Sequence, residues 1–474
     1  MPNRTEDLNL ALIMCPLWGI TQPPVSIAYL KGFLNDSGIA AKCFDFNVAL
    51  SKVFPEKKYW DLNYPEYFID PRLFNTGILP NLNPLINVWA EEILEYSPQV
   101  VGFSLFMSNV NTSLLLAREL KKIKPDLIIV GGGPEVTRFK RILVDGIRRI
   151  AYLHRELIDA NVFDLFIYGE GEKTLLEALS LIRQKSDFYS AKGCLYLNND
   201  ELIANRPREF VSDLDILPPP DYRDFELKDY TRTVLPLVTS RGCVNRCAFC
   251  SDSPLWKIYR HKSAEKVLEE VKFLINEYGI NEFEIIDSTF NGDIERVNKI
   301  CDLIIESKLN IRWSAKATLR KEMNYKLLQK MKKAGCTSLS YGVESGSPRV
   351  LIDMMKHTNI ADSERIIRNT WKAGIRTNCF FIIGYPIETE EDFQLTLGFI
   401  RNNAKFIYRF DQITGCHIEE GSYLGFNLDK YGIILEKDGW YSPYSSPQIR
   451  KERLEKFREF ARELHKHYEC EIQL

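Results

Sequence analysis

Along the N-terminal part of the chain, hydrophobic patterns typical of strands alternate with hydrophobic patterns typical of helices. An apolar run at 8–14 is typical of a buried strand, and the pattern after Pro23 and Pro24 predicts a helix that ends at Gly38. Similar apolar runs, each leading through a Gly- or Ser-containing loop into a helix, lie at 40–47, 100–104, 127–130 and 164–168. Repeated strand–loop–helix units predict an α/β fold, a doubly wound Rossmann-like (flavodoxin-like) domain over residues 1–185.

Two stretches depart from this repeat. Residues 48–98 form an aromatic-rich insert, too long for a simple connection, for which we expect helices of its own or a lid. Aromatic packing in a small local core is the favoured interpretation, and a role over a cofactor or substrate is the alternative. Residues 186–232 are predicted to be a linker, because a hairpin-like stretch is followed by Pro218-Pro219-Pro220, which fits neither a helix nor a central strand.

A second repeat system occupies residues 233–415. Strands are predicted at 233–239, 282–286, 311–315, 338–343, 377–383 and 410–414, and helices at 294–305, 325–334, 347–373 and 389–401, with a further helix around Val267 to Ile275. Six strand–helix units predict a partial (β/α)6 TIM-like barrel, whose active site would lie at the C-terminal ends of the strands. Residues 416–474 are a C-terminal extension that ends in a charged amphipathic helix at 448–467.

Composition narrows the class of protein. The 474 residues carry a net charge of −2, which argues against a nucleic-acid partner, and the apolar runs are strand-sized, which predicts no membrane span. The N-terminus lacks a signal-peptide pattern. Eleven cysteines, an odd number, favour reduced thiols and a metal site over disulfides, so we expect a cytoplasmic protein.

Three of those cysteines are closely spaced. Cys243, Cys247 and Cys250 follow the first predicted barrel strand with the spacing C-x3-C-x2-C. Three thiolates can hold three irons of a cubane cluster and leave the fourth iron open for chemistry. Free surface thiols or a structural zinc are the alternatives, although zinc usually takes two pairs of ligands and no second pair follows.

The strand-end loops of the first domain are also rich in glycine. They include Cys15 to Gly19, Ser104 to Asn109, Gly131 to Glu135 and Gly169 to Glu172. Glycines let the backbone approach a large ligand, and in doubly wound sheets ligands bind at this edge. Each loop alone is equally explained by a tight turn, but four loops on one edge favour a cofactor cleft.

With these motifs the chain resembles the radical S-adenosylmethionine (radical SAM) superfamily, and within it the enzymes with an N-terminal cobalamin-binding domain. The resemblance extends from about residue 8 to residue 425. Besides the cysteines it rests on Ile286-Asp287-Ser288-Thr289-Phe290-Asn291, on Gly342-Val343-Glu344-Ser345-Gly346-Ser347 and on Ile383-Gly384-Tyr385-Pro386, all at predicted strand ends.

The resemblance implies the cofactors and their ligands. A [4Fe-4S] cluster on the three cysteines would chelate S-adenosylmethionine and cleave it to a 5′-deoxyadenosyl radical. The residues placed at this cofactor by position are Phe249, Asp287, Ser288, Lys316, Glu344, Ser345, Ile383 and Gly384. Lys316 stands near where relatives often carry arginine, and a solvated lysine is the alternative for it.

Cobalamin would bind the first domain. The residues implied by position are Pro16, Trp18, Ser104, Phe106, Ser108, Gly131, Gly132, Gly133, Gly169, Glu170, Gly171 and Glu172. The Asp-x-His-x-x-Gly motif that supplies a histidine to cobalt in the best-known cobalamin domains is absent, and none of the six histidines (154, 261, 357, 417, 465 and 467) lies in a strand-end loop of this domain. Many members of the radical class also lack this motif.

The resemblance therefore implies a cobalamin-dependent C-methyltransferase acting on an unactivated carbon. A radical rearrangement, ring contraction or cyclisation without methyl transfer is the alternative among enzymes, and an iron–sulfur sensor the alternative outside them. The remaining cysteines show no paired spacing, which argues against a second cluster and against methylthiotransferases. The substrate stays open between a peptide side chain, a lipid and a small metabolite, and the implied partner is an external electron donor such as flavodoxin or ferredoxin.

Overall fold

The computed structural model describes residues 8–54, 56–60, 65–147, 155–468 and 471–472; Tyr64 of the aromatic insert, His154 and Cys470 lie outside them. The chain divides into two compact units. Among the described residues, the first comprises those up to 147, 155–212 and Ile216–Thr233, and the second comprises Asp213–Asp215 and those from Val234 onward.

The first unit contains a seven-stranded sheet. Its strands are β1 (Asn9–Met14), β2 (Ala40–Asp45), β3 (Val100–Ser104), β4 (Ile128–Gly132), β5 (Leu165–Ile167), β6 (Cys194–Asn198) and β7 (Glu201–Ala204), in the order β2-β1-β3-β4-β5-β6-β7. The first five strands are parallel. The order 2-1-3-4-5 is flavodoxin-like, as predicted, and its switch point lies between β1 and β3.

Helices connect these strands. The main ones are Val25–Asp36, Phe46–Val53, Leu79–Glu95, Val110–Ile123, Pro134–Phe139 and Gly171–Arg183, with short helices at Glu66–Ile69, Pro71–Leu73 and Glu156–Asp159. The strand predicted at 40–47 ends earlier, at Asp45. The carboxylate of Asp45 accepts the N–H of Asn47 at 3.0 Å and so caps a helix that begins at Phe46.

The aromatic insert packs into the core of the first unit. Trp89 stacks on Phe46 with ring centroids 4.6 Å apart, and Phe68 and Phe74 are buried in the same cluster as strand residues of β1 and β3. Because these aromatic side chains are covered by their own unit, the structure favours packing over a lid for them.

The segment predicted to be a linker is folded. Strands β6 and β7 extend the first sheet as an antiparallel hairpin, paired to β5. Further along, the buried ammonium of Lys31 lies 3.4 Å from Asp221 and 2.6 Å from Asp224, which fixes the chain beyond the three prolines. The division therefore falls at Thr233 and Val234, and most of residues 186–232 belong to the first unit.

The second unit contains a seven-stranded, all-parallel sheet. Its strands are β8 (Leu235–Leu237), β9 (Glu282–Ile285), β10 (Arg312–Ala317), β11 (Cys336–Glu344), β12 (Arg376–Ile383), β13 (Arg409–Gly415) and β14 (Glu471–Ile472), paired in sequence order. Among the described residues, β8 and β14 do not pair with each other, so the sheet is an open, partial barrel as predicted.

The connecting helices cover one face of this sheet. They are Ala264–Tyr278, Ile294–Glu306, Tyr325–Lys333, Pro348–Asp353, Ile360–Lys372, Glu390–Asn403 and Pro447–Tyr468, with short helices at Asp252–Trp256 and Tyr423–Phe426. Burial alternates along the strands: Leu339, Tyr341 and Val343 of β11 are buried, whereas Ser338 and Ser340 are partly exposed. Parallel sheets are usually buried on both faces, so the partly exposed polar face leaves room for a ligand.

No helix in the described ranges is both long enough and apolar enough to traverse a bilayer.

Candidate functional site

The three spaced cysteines lie on a loop after β8. The loop begins where Ser240–Arg241 pairs antiparallel with Arg260–His261. Gly242 follows with φ +82°, and a Cβ at this position would clash with the carbonyl oxygen of Ile258. Only glycine combines this backbone conformation with so close an approach, so the turn into the cysteine loop depends on Gly242.

The loop is anchored on both sides of its centre. The N–H of Ala248 donates to the carbonyl of Met354 at 2.9 Å, and the carbonyl of Ala248 accepts the N–H of Leu424 at 2.9 Å. Ala248 also belongs to a buried cluster that contains Tyr385 together with Leu424 and other residues of the C-terminal extension, and Phe249 packs against this cluster. The extension therefore supports the cysteine loop, a role that its sequence did not indicate.

The thiols are half-buried and close to one cation. Burial raises the pKa of Cys243 and of Cys247 above the ordinary value of a thiol, and the nearby ammonium of Lys356 offsets part of that rise. No three Cys, His, Asp or Glu side chains in the described residues are grouped around one point. A cubane cluster takes each thiolate on a different iron, so it does not need the three thiols to converge on one ion.

Lys356 forms a buried ion pair with Glu344 at the end of β11. The Nζ–Oε1 distance is 3.1 Å, and the two side chains are 8% and 10% exposed. Burial alone lowers the pKa of Lys356, but Glu344, Cys247 and Cys243 together raise it above its ordinary value. Glu344 has a positive φ of 67°, and a Cβ at Gly342 would clash with its carboxylate. Strain of this kind is concentrated at functional sites.

Sequence reasoning placed Glu344 here but missed Lys356. Lys356 lies twelve positions further along the chain and reaches Glu344 because helix Pro348–Asp353 turns the chain back. No spacing rule announces such a pair, so the sequence carried no signal for it.

Asp287 is engaged by the strand that leads to the cysteines. Its buried carboxylate accepts the N–H of Thr239 at 2.7 Å, the hydroxyl of Thr239 at 2.6 Å and the hydroxyl of Ser240 at 2.7 Å. Burial raises the pKa of Asp287, and these donors oppose that rise. The structure thus gives Asp287 a positioning role for the cysteine loop. The neighbouring Ser288 is partly exposed and donates to Asp252 at 2.7 Å.

The remaining residues predicted for S-adenosylmethionine separate into two groups. Lys316 is exposed, on the polar face of β10. Ser345 and Ile383 are fully buried, and Ser345 lies 3.3 Å from the hydroxyl of Thr396. Burial alternates along β12, so Ile382, one position before Ile383, lies on the partly exposed face.

Gly384 contacts the C-terminal helix. With φ +75° it leaves no room for a Cβ beside Arg450, and its N–H donates to the Glu388 carboxylate at 2.9 Å. That carboxylate in turn accepts from Arg453 at 3.0 Å. Gly384 therefore joins β12 to the helix Pro447–Tyr468.

A solvent-open cleft of about 620 Å³ lies beside the cysteine loop. Its walls come from the loops after β9, β10 and β11 and from the cysteine loop. The lining includes Val244, Asn245, Gly292, Thr318, Arg320, Lys321, Lys356, His357 and Asn359.

In the first unit, the loops after β1 and β3 meet at the switch point. Trp18 and Phe106 are half-buried there, with ring centroids 4.4 Å apart. Ser108 donates to the carbonyl of Leu17 at 2.6 Å, and Asn47 accepts the N–H of Trp18 at 2.7 Å. Asn47, which sequence reasoning did not select, braces this loop, and Trp18 and Phe106 present the aromatic surface.

The glycines of the neighbouring loops differ in role. A Cβ at Gly131 or Gly133 would clash with Leu105, so both serve packing. A Cβ at Gly132 would fit in ordinary contact with Ile167, 3.8 Å from its carbonyl oxygen, whereas Gly169 is exposed and has nothing within 4 Å on that side. Gly169 therefore gives a ligand close access to the backbone.

Most of the other residues predicted for cobalamin are used within the first unit. Ser104 lies 3.2 Å from the hydroxyl of Ser26, and Glu170 accepts the N–H of Val211 at 2.6 Å. Pro16 and Glu172 are buried, and Gly171 begins the helix after β5.

Comparison with known proteins agrees with this geometry. Residues 237–400 match the radical SAM superfamily model. An uncharacterized methyltransferase from Pyrococcus horikoshii is 30% identical over 316 residues, 66% of each chain. An anaerobic magnesium-protoporphyrin IX monomethyl ester cyclase from Cereibacter sphaeroides is 26% identical over 65% of this chain and 50% of its own. The chain thus spans half to two thirds of the length of these relatives.

A solved structure shares the fold. The radical S-adenosylmethionine methyltransferase TsrM from Kitasatospora setae, with cobalamin and a [4Fe-4S] cluster bound, aligns with a TM-score of 0.65 at 17% identity, over 90% of this chain and 75% of its own. The likeness covers both units, the flavodoxin-like sheet and the open parallel barrel. The cysteine loop, the fold and these matches lead to one conclusion: the chain belongs to the radical SAM superfamily.

Proposed function

We propose that the protein is a cobalamin-dependent radical SAM enzyme, a C-methyltransferase acting on an unactivated carbon. One observation carries the proposal: of three half-buried thiols on one loop, those of Cys243 and Cys247 lie near the buried Lys356–Glu344 pair at the strand ends of an open parallel sheet. None of the ten described cysteines forms a disulfide bond, which supports a reducing, cytoplasmic setting.

In the second unit, the cysteine loop would hold the [4Fe-4S] cluster through Cys243, Cys247 and Cys250. The cluster and S-adenosylmethionine together supply the radical chemistry. The ammonium of Lys356 is held charged by Glu344, so it can attract the carboxylate of a bound S-adenosylmethionine. Asp287 holds the cysteine loop in place because its carboxylate accepts hydrogen bonds from Thr239 and Ser240.

In the first unit, cobalamin would bind at the switch point between β1 and β3. Trp18 and Phe106 offer an aromatic surface for a large planar ring, and Gly169 leaves the backbone accessible. Bound cobalamin would supply the methyl group.

The test is anaerobic purification with added cobalamin, followed by reconstitution with iron and sulfide. With S-adenosylmethionine and dithionite we expect 5′-deoxyadenosine from the wild type and none from Cys247→Ala. Cys301→Ala, which removes a buried cysteine outside the loop, is the matched control and should retain product. A wild type that carries a full cluster but forms no 5′-deoxyadenosine would contradict the proposal.

A radical cyclisation without methyl transfer is the second candidate, favoured by the similarity to the magnesium-protoporphyrin ester cyclase. Methyl transfer consumes a second S-adenosylmethionine and releases S-adenosylhomocysteine, whereas cyclisation does not. If substrate turnover yields 5′-deoxyadenosine and S-adenosylhomocysteine in equal amounts, the methyltransferase is supported. Substrate turnover with 5′-deoxyadenosine alone would favour the cyclase.

A further inference from the structure

The cysteine loop leaves and rejoins the second unit at one place. Ser240 pairs antiparallel with His261, and the N–H of Lys262 donates to the carbonyl of Thr239 at 2.9 Å. Residues 240–261, which contain all three spaced cysteines, therefore form an excursion whose two ends are hydrogen-bonded to each other. We call Thr239, Ser240, His261 and Lys262 the neck of the cysteine loop.

One arginine binds both sides of the neck. Arg296, in the first turn of helix Ile294–Glu306, is 5% exposed, and its side chain reaches two backbone carbonyls. Its Nε donates to the carbonyl of Lys262 at 2.6 Å, and its Nη2 donates to the carbonyl of Thr239 at 3.0 Å. Because a guanidinium presents its donors in a fixed planar fork, these two bonds set the separation of the two carbonyls.

Other buried charges lie at the same neck. The carboxylate of Asp287 accepts hydrogen bonds from one side of the neck, and Lys262 on the other side forms an ion pair with Glu270. Arg296 also opposes the rise that burial causes in the pKa of Asp287. The neck therefore brings together two buried cations and two buried anions.

Net stability alone does not account for these charges. The desolvation of buried ions offsets much of their attraction, and well-packed apolar residues in their place are often as stabilising. Hydrogen-bonded charges instead favour one arrangement of the chain over its alternatives. Cys243 closely follows Thr239 in the chain, whereas the central anchors of the loop bind Ala248. The neck therefore fixes where the chain enters the loop on the side of Cys243.

We propose that Arg296 is a positioning residue for the iron–sulfur cluster: it closes the neck, so that the three thiols keep the spacing that a cubane cluster requires. The proposal rests on the radical function proposed above, because that function assigns a [4Fe-4S] cluster to the loop. Without the guanidinium, the two ends of the loop would separate more often, and the thiolates would release iron more readily.

The first test measures iron release from the reconstituted holoenzyme to bathophenanthroline disulfonate, without oxygen. Arg296→Lys keeps the charge but replaces the planar fork with a single nitrogen. Its iron release should be about tenfold faster than that of the wild type, because one charge-assisted hydrogen bond is lost. Arg453→Lys is the matched control, since Arg453 is 6% exposed and binds Glu388 rather than the neck. Its release should equal that of the wild type, and equal release from both variants would overturn the proposal.

A second readout is the EPR spectrum of the dithionite-reduced cluster. Arg296→Lys should give broader features than the wild type, because a looser neck lets the thiolates hold the cluster in several arrangements. Arg453→Lys should give the wild-type spectrum. Identical spectra for Arg296→Lys and the wild type, or the same broadening in Arg453→Lys, would contradict a positioning role for Arg296.

Hydrogen exchange of the cluster-free protein tests the neck independently of the radical function. In Arg296→Lys, amides of residues 240–261 should exchange about tenfold faster than in the wild type, while the rest of the second unit is unchanged. Unchanged exchange at 240–261 would overturn the proposal. Uniform acceleration across the second unit, or loss of its fold, would show a general structural role and overturn it as well. A wild type that assembles no cluster would instead refute the radical function, and local exchange would still decide whether Arg296 closes the neck.

Discussion

At the scale of single residues, charge at the site is organised around Lys356 rather than around the residues that motifs identify. Its ammonium is held by Glu344 and faces two thiols of the cysteine loop. A buried pair of this kind adds little net stability, but either partner alone is costly, since it leaves an uncompensated charge.

Lys356→Met tests this arrangement. The variant should lose about 3 kcal/mol of unfolding free energy, because Glu344 is left buried without its partner. The double variant Glu344→Gln/Lys356→Met should recover most of that stability in urea unfolding, yet remain unable to cleave S-adenosylmethionine. If the double variant recovered cleavage together with stability, the pair would be structural only.

At the scale of elements, the C-terminal helix fixes the end of β12. Arg450 stacks on Trp440, 3.8 Å from the ring centroid, and fills the space beside Gly384. Arg453 reaches the buried carboxylate of Glu388, which also accepts the N–H of Gly384. The helix and the strand end therefore form one packed assembly within the second unit.

Gly384→Ala should destabilise the protein by about 2 kcal/mol, because alanine is strained at this positive φ and would displace Arg450. Gly398→Ala is the matched control: Gly398 lies in the helix Glu390–Asn403 with free space around it. That change should stabilise by about 0.5 kcal/mol. Thermal unfolding of both variants measures the difference, and equal shifts would contradict this account of Gly384.

Glu388 makes the same assembly sensitive to pH. Burial raises the pKa of Glu388 to about 7, although Gly384 and Arg453 oppose the rise. Its unfolded value is about 4.3, so between these limits the folded chain holds a proton that the unfolded chain releases. Stability should therefore fall as pH rises from about 4.3 through 7.

The contribution of Glu388 is isolated by Glu388→Gln. Between pH 5 and pH 8, the Tm of the wild type should fall relative to the Tm of Glu388→Gln. A difference independent of pH would show that Glu388 does not titrate in this range.

At the scale of the whole molecule, each unit carries its own candidate cofactor site. Aromatic surface and an open glycine lie in the first unit, and the cysteine loop lies in the second. Cofactor contents should therefore respond separately to substitution.

Trp18→Ala should lower the cobalamin retained after gel filtration and leave iron content unchanged, because only the aromatic surface is lost. Cys247→Ala should do the reverse. Absorbance spectra and iron analysis of the two variants give both contents, and a loss of both cofactors in either variant would contradict separate sites.

The architecture followed from the sequence because strands and helices differ in hydrophobic period, and the predicted strands of the second unit lie within a few residues of those observed. The sequence does not show which face of a strand each residue occupies: in β12, Ile383 is buried while Ile382 is partly exposed. Contacts between distant segments, such as Lys356 with Glu344 or Leu424 with Ala248, leave no local pattern. The prolines at 218–220 suggested a linker, because proline fits neither a helix nor a central strand. The ion pair that holds this segment involves Lys31, which is distant in the sequence and leaves no local pattern.

The alternation of burial in the second sheet has a consequence for engineering. Ser314, Ser338, Ser340 and Asn378 occupy the register that faces away from the helices, whereas their immediate neighbours hold the core. These four positions can therefore be varied without creating a cavity in the core. A library confined to that register would sample new substrate preferences on an unchanged scaffold, and it would leave the cysteine loop untouched.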